Sequence, residues 1–326
     1  MDHNSHIVRC AAVVSLVVLA GAAAAGAQSG SGLMLTPWEE GRTAQVASDF
    51  LYQGQADTED RLDRDVDLQW YVAEGRYRLA ADERFGPAVG FEFEHIEFTS
   101  SHPLVPDRLV DLSAAVGTGV AQFDWGGLLV TGGVGFAGDQ PFSDGDAVYG
   151  RANVLAVMPK NEKMGWQFGL NYDGNRSIVP DVPLPTLNFY HRVSDELFYA
   201  VGLMYNVLYW TPNENFKVVL SHESPLTVDA VAAYQLFEGF WVEGGFHNRY
   251  KPYHIDGDDE HRRVFFTHRR LEAGIRWASC EWCELNVAGG WAFGQELERG
   301  YDSRHLDTLV EIDDAPYVRG GLSIEF

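Results

Sequence analysis

Few residues in this chain have the types and spacing that chemistry requires. Cys280-Glu281-Trp282-Cys283 is a C-x-x-C, and its two thiols are the only cysteines after Cys10. Oxidoreductases place that motif at a helix N-terminus in an α/β fold, whereas here it falls between two strand-like segments. Zinc would need two further ligands close by. The favoured reading is a disulfide across a tight turn, with a free dithiol as the alternative. Closing so short a loop contributes at most about 2 kcal/mol. Asp256-Gly257-Asp258-Asp259-Glu260, between His254 and His261, offers hard oxygen ligands for calcium but lacks EF-hand spacing. A solvated surface loop accounts for it better, and for Asp313-Asp314 as well. Ser221-His222-Glu223 sets a hydroxyl beside an imidazole, yet adjacent residues of a strand point to opposite faces. No lipase-, acyltransferase- or protease-like motif occurs, so the expectation is a non-enzyme with no metal and no cofactor.

The elements that carry these residues follow from composition and period. The chain has 326 residues, Lys+Arg 24 against Asp+Glu 47 and a net charge of -23, with 46% hydrophobic and 13% aromatic residues. So acidic a chain is not a nucleic-acid binder, because phosphates call for Lys and Arg. So apolar a chain is not disordered. Residues 1–27 read as a secretory signal: a polar start with Arg9, an apolar stretch Ala11 to Ala25, then the small residues Ala25-Gly26-Ala27 before a 28–42 linker. Beyond it no apolar run is long enough for a membrane helix.

The remainder, 43–326, alternates with a period of two. Leu271, Ala273, Ile275 and Trp277 occupy one face of a segment, with Glu272, Gly274 and Arg276 on the other. Fifteen such segments are expected: 43–54, 66–80, 87–98, 109–122, 125–137, 147–158, 164–174, 186–192, 196–210, 216–222, 226–235, 239–249, 263–278, 284–294 and 316–326. The chain is all-β. A soluble sandwich would turn the apolar face inward, and a transmembrane barrel would turn it to lipid. The signal segment and the aromatic pairs Trp70-Tyr71, Tyr209-Trp210 and Phe240-Trp241 favour an antiparallel up-and-down barrel. On its polar face Arg76, Arg78, Glu92, Glu94, Arg270, Glu272 and Arg276 are the candidates to line a lumen, the first four opposed on neighbouring strands.

The final strand, Tyr317 to Phe326, resembles the C-terminal strand of bacterial outer-membrane β-barrels. Arg319, Gly321, Ile324 and the terminal Phe326 occupy the places of that group's assembly signal. The resemblance implies an outer-membrane location and recognition by the barrel-assembly machinery. The chain from 43 onward also resembles a family of predicted outer-membrane barrels of unknown function, through Leu208-Tyr209-Trp210-Thr211-Pro212-Asn213 and Val287 to Glu298. It departs from that family at Gln295, where many relatives carry Arg.

If Phe326 is periplasmic, connections 295–316 and 250–263 are outer loops and 279–283 is a periplasmic turn. The first carries seven acids (Glu296, Glu298, Asp302, Asp307, Glu311, Asp313, Asp314) against Arg299 and Arg304. Counted back, the alternation inverts, putting 55–65 and 138–146 on the periplasmic side. An odd total cannot close with both ends on one side, so one segment between 175 and 225 is misread. About 14 strands are expected, within 12–16. The expected function is a passive pore for small polar solutes with mild cation preference, embedded in a lipid bilayer. The alternative is a non-conducting structural or adhesive barrel acting through its extracellular loops.

Overall fold

The computed structural model describes residues 42–59, 64–80, 86–142, 145–257 and 262–326. The signal segment, the linker up to residue 41 and residues 258–261 of the acidic loop lie outside them. Every regular element described is a strand. In order they are β1 Ala44–Asp57, β2 Asp65–Arg78, β3 Ala88–Ser100, β4 Arg108–Phe123, β5 Gly126–Gly138 and β6 Val148–Pro159. Then come β7 Met164–Asp173, β8 Leu184–Arg192, β9 Leu197–Gly202, β10 Tyr205–Asn213, β11 Phe216–Glu223 and β12 Thr227–Phe237. The chain ends with β13 Phe240–Tyr253, β14 Arg263–Cys280, β15 Cys283–Gly300, β16 Leu306–Ile312 and β17 Ala315–Glu325.

Each strand pairs antiparallel with the next, and β17 returns to β1 in a register running from Gln45↔Glu325 to Gln53↔Tyr317. The sheet therefore closes and has no free edge. β15 pairs with β17 along its lower half and with β16 along its upper half. β16 and β17 are thus one stave interrupted at Asp313-Asp314, and the seventeen segments make a barrel of 16 strands rather than about 14. The misread segment is 196–210, which contains both β9 and β10. Their connection, Leu203-Met204, is apolar and short, so nothing polar punctuates it. The phase does change there: β9 turns its even-numbered Phe198 and Ala200 inward, β10 its odd-numbered Val207. With that hairpin restored, β1, β3, β5, β7, β13 and β15 all end, and β2, β4, β6, β8, β14 and β16 all begin, at one rim. Both chain ends of the barrel lie at the other, where Phe326 O accepts from the Thr43 and Ala44 amides. The expected inversion of 55–65 and 138–146 is thereby corrected. Long loops mark the first end as extracellular.

The faces are those of a membrane barrel. Outward-facing Leu271 is 54% exposed, Ile275 44%, Val287 59% and Val318 58%, while Arg270 and Glu92 inside are each 8%. A closed wall satisfies every backbone pair, and an apolar exterior suits hydrocarbon rather than water. The protein is a transmembrane β-barrel of the outer-membrane type, and the soluble-sandwich arrangement is excluded. The aromatic pairs divide, since neighbouring residues face opposite ways: Tyr71 and Trp210 reach the exterior, while Trp70 is buried inside.

The wall is uneven and the interior is not uniformly polar. β14 and β15 have 18 residues each, β9 six and β11 eight. The tall side folds over at its extracellular end. The end of β13 crosses to β5, where His254 N donates to Ala137 O at 3.0 Å and Asp139 N to His254 O at 3.2 Å. Beneath that seam Trp70, Ile96, Phe98, Leu109, Tyr253, Phe266, Leu297 and Val310 form a dry core. The upper part between β1–β5 and β13–β16 is therefore a two-layer sandwich. The expected outer loop 295–316 is mostly the β15–β16 hairpin, with only 301–305 between strands.

Candidate functional site: the lumen

A cavity of about 890 Å³ runs through the interior, lined from the periplasmic rim at Cys283 and Glu325 to Arg176 and Ser177 at the extracellular end. Inward parity on each strand decides which side chains enter it. One wall is ionic. The Lys251 ammonium contacts Glu94 at 2.5 Å, Asp111 at 2.8 Å and Glu92 at 3.2 Å. Arg151 pairs with Glu92 at 3.2 Å and Asp173 at 3.1 Å. His247 sits between Asp229 on Nδ1 (2.6 Å) and Glu272 on Nε2 (3.2 Å). Arg319 holds Glu272 and Asp49, each at 2.6 Å, and the Tyr317 hydroxyl donates to Glu272. Such pairs satisfy one another where water is scarce. With both ring nitrogens engaged by carboxylates, His247 has none free to serve as a base toward a nucleophile.

Neutral side chains lie among these charges on β5 to β8. Asn153 donates to Thr131 at 3.0 Å, Asn171 to Asn153, and Asn188 to Gln167 at 3.3 Å. Beside these amides Leu129, Val157, Phe198, Ala200 and Val207 form a second apolar cluster with Leu155, Tyr205 and Tyr209 packed on it.

Two carboxylates break the pairing rule. Glu74 and Glu223 line the cavity, and neither makes a hydrogen bond or ion pair. Glu223 interacts electrostatically with Asp173, Glu92, Arg151 and Arg249, and Glu74 with Glu92, Asp49 and Arg249. Together with Asp229 they form a belt of acids contributed by β2, β3, β7, β11 and β12, with Arg151 and Arg249 set among them.

Loop 174–183 caps the cavity. Asn175 donates to Pro252 O at 3.1 Å, and Arg176 donates to Val182 O at 3.1 Å and Asn171 O at 2.8 Å. Arg263 at the head of β14 donates to Arg176 O at 3.0 Å and Tyr301 O at 2.8 Å, and Ser303 N donates to Ser177 O. Burial of the Arg176 guanidinium lowers its pKa from the ordinary arginine value. Val179 is held at φ 49°, a conformation β-branched residues rarely adopt, so the cap is tightly constrained.

Of the residues named from sequence, Glu92, Glu94, Arg270, Glu272 and Arg276 line the cavity. Arg76 and Arg78 face inward nearer the periplasmic rim, where Arg76 donates to Gln45 and Arg78 to Arg42 O. In the β2–β3 register they stand across from Gly90 and Ala88 rather than Glu92 and Glu94, and the residue directly across from Glu92 is Glu74. Arg276 pairs with Glu243 and Glu284 and lies 5.3 Å over the Trp241 ring, which Lys217 also covers at 5.0 Å. Cys280 and Cys283 are directly opposed as thiols at the β14–β15 turn. Arg319 and Gly321 face the lumen, and Phe326 is exposed at the rim. Among the described residues no three His, Cys, Asp or Glu side chains gather as a metal site. Sequence reasoning missed Lys251, which lay in a supposed loop. It also missed Arg151, Asp111, Asp229, His247 and Glu223, all legible from the same inward parity.

No family model matches the chain, and no curated protein matches it. Solved structures do show likenesses. Omp33 of Acinetobacter baumannii is 7% identical, over 88% of this chain and 100% of its own, with a TM-score of 0.35. The COG4313 outer membrane channel of Pseudomonas putida F1 is 11% identical, over 87% and 96%, at 0.35. A mutant of the TodX monoaromatic hydrocarbon channel is 10% identical, over 91% and 92%, at 0.41. Scores this low transfer neither strand order nor function.

Proposed function

We propose that this barrel is a passive outer-membrane channel for small polar solutes with a mild preference for cations. The observation that carries the reading is the acid belt, with Glu74 and Glu223 unpaired at the cavity surface. Along the whole lining acidic side chains outnumber basic ones twelve to nine. Rings of carboxylates favour cations by replacing part of their hydration and by lowering the local potential. The C-terminal strand, with Arg319, Gly321, Ile324 and Phe326, serves in this reading as the signal to the barrel-assembly machinery. Reversal potentials across a planar bilayer in a KCl gradient test the channel. Potassium permeates faster than chloride in the expected result. Absence of current, or chloride preference, overturns it.

A second reading is supported by the cap and the dry core: a closed barrel whose extracellular hairpins do the work. Removing the Arg263 side chain separates the two. A channel gains conductance when its cap loosens, and a closed structural barrel stays silent.

A further inference from the structure

On the neighbouring strands β11 and β12, three acceptors stand side by side. Glu223 makes no ion pair, as described above. Ser221, two residues earlier on the same face, is 3% exposed, lines the cavity, and its hydroxyl has no hydrogen-bond partner. Asp229, directly across from Ser221, gives one oxygen to His247, while its Oδ2 is buried and unpartnered. A buried hydroxyl and a buried carboxylate oxygen left unbonded are costly. Two such atoms next to an unpaired carboxylate point to a ligand that brings donors.

The neighbouring surface says what the rest of that ligand is. Tyr205 lies directly across from Glu223, and Val207 directly across from Ser221, on β10. Val207, Val219 and Ala200 also line the cavity, continuous with the apolar cluster of β5 to β10. An aromatic ring beside a carboxylate favours a cation through its quadrupole. An aliphatic wall favours an apolar body.

We infer that this part of the lumen is a subsite for a primary organic ammonium: a head with three N–H donors at Glu223, Ser221 and Asp229, and an apolar body on Val207, Val219 and Ala200. An ammonium carries three donors and no acceptor, which suits two carboxylates and a hydroxyl oxygen. Inorganic cations would use the oxygens but not the apolar wall. Sugars would use the amides of β6–β8 and leave the carboxylate uncompensated. The inference rests on the reading of the lumen as a solute path and narrows its substrate class.

The test uses the full-length barrel, reconstituted for current recording and in detergent for calorimetry. Benzylammonium is compared with benzyl alcohol, which lacks the charge, and with benzyltrimethylammonium, which lacks the N–H donors. Benzylammonium is expected to reduce KCl current saturably, and each comparison compound to need at least about tenfold more for the same block. Glu223→Gln is expected to raise the half-blocking concentration of benzylammonium by about tenfold. Equal block by all three compounds overturns the subsite, as does an unchanged half-blocking concentration in a Glu223→Gln protein that shows heat-modifiable migration. If that variant does not fold, the three compounds on the unaltered protein decide. Current without selective block removes the subsite and leaves the channel. Calorimetric binding of benzylammonium in preference to benzyl alcohol, with no current, overturns the channel and leaves the subsite.

Discussion

The Lys251 ammonium lies 2.5 Å from a carboxylate oxygen of Glu94, although 157 residues separate them in the chain. The contact joins β13 to β3 across the interior, and Asp111 and Glu92 complete the cluster around the same nitrogen. One lysine thus ties opposite walls together just below the seam where β13 reaches β5.

Lys251→Met removes the cation and leaves three carboxylates facing one another. The barrel is expected to lose up to about 3 kcal/mol, because breaking a shielded ion cluster uncovers charges that had been paired. Its heat-modifiability midpoint on a detergent gel falls. Potassium selectivity rises, since Glu94 and Asp111 lose their cation while Glu92 keeps Arg151. An unchanged midpoint and selectivity would show that the cluster is dispensable.

Arg263→Ala deletes the donors that hold Arg176 O and Tyr301 O. Loop 174–183 is expected to detach from the β14–β15 hairpin and single-channel conductance to increase. Neutral-solute uptake by reconstituted liposomes rises in parallel for the larger members of a size series.

Asp302 is held below the ordinary aspartate value, first by hydrogen bonds from the Arg304 side chain. A depressed folded value means that this loop stabilisation is fully present above the unfolded aspartate pKa of about 4. It is lost as pH falls through the folded value. Hydrogen exchange in 301–305 is expected to quicken below about pH 4 and to change little between pH 5 and 8. Arg304→Ala moves the onset upward.

Cys280 and Cys283 close their hairpin as opposed neighbours. Protein isolated without reductant is expected to resist alkylation at both positions until it is reduced. Cys280→Ser with Cys283→Ser costs less than about 2 kcal/mol, because the loop is short. Alkylation of the unreduced protein at both thiols would leave them a free dithiol.

How much was legible can be judged residue by residue. Leu271, Ile275 and Trp277 alternate with Arg270, Glu272 and Arg276, so a period of two assigns lipid and lumen faces without any tertiary information. Val318 to Phe326 does the same for the closing strand. The hairpin at Leu203-Met204 was missed because its connection is apolar, yet the phase change between Ala200 and Val207 carries it. Lys251 was missed because the supposed loop is the end of β13.

Period and composition alone assign the class and the facing: a transmembrane barrel, and which side of each strand meets lipid. What the lumen holds follows from the closed fold. Parity tells that a residue points inward but not what it meets there, because barrel closure and the fold-over of β13 set the cross-lumen partners. That is why Glu92 meets Arg151 and Lys251, and Glu94 meets Lys251, from strands far apart in the chain. It is also why part of the inward-facing surface became an apolar core.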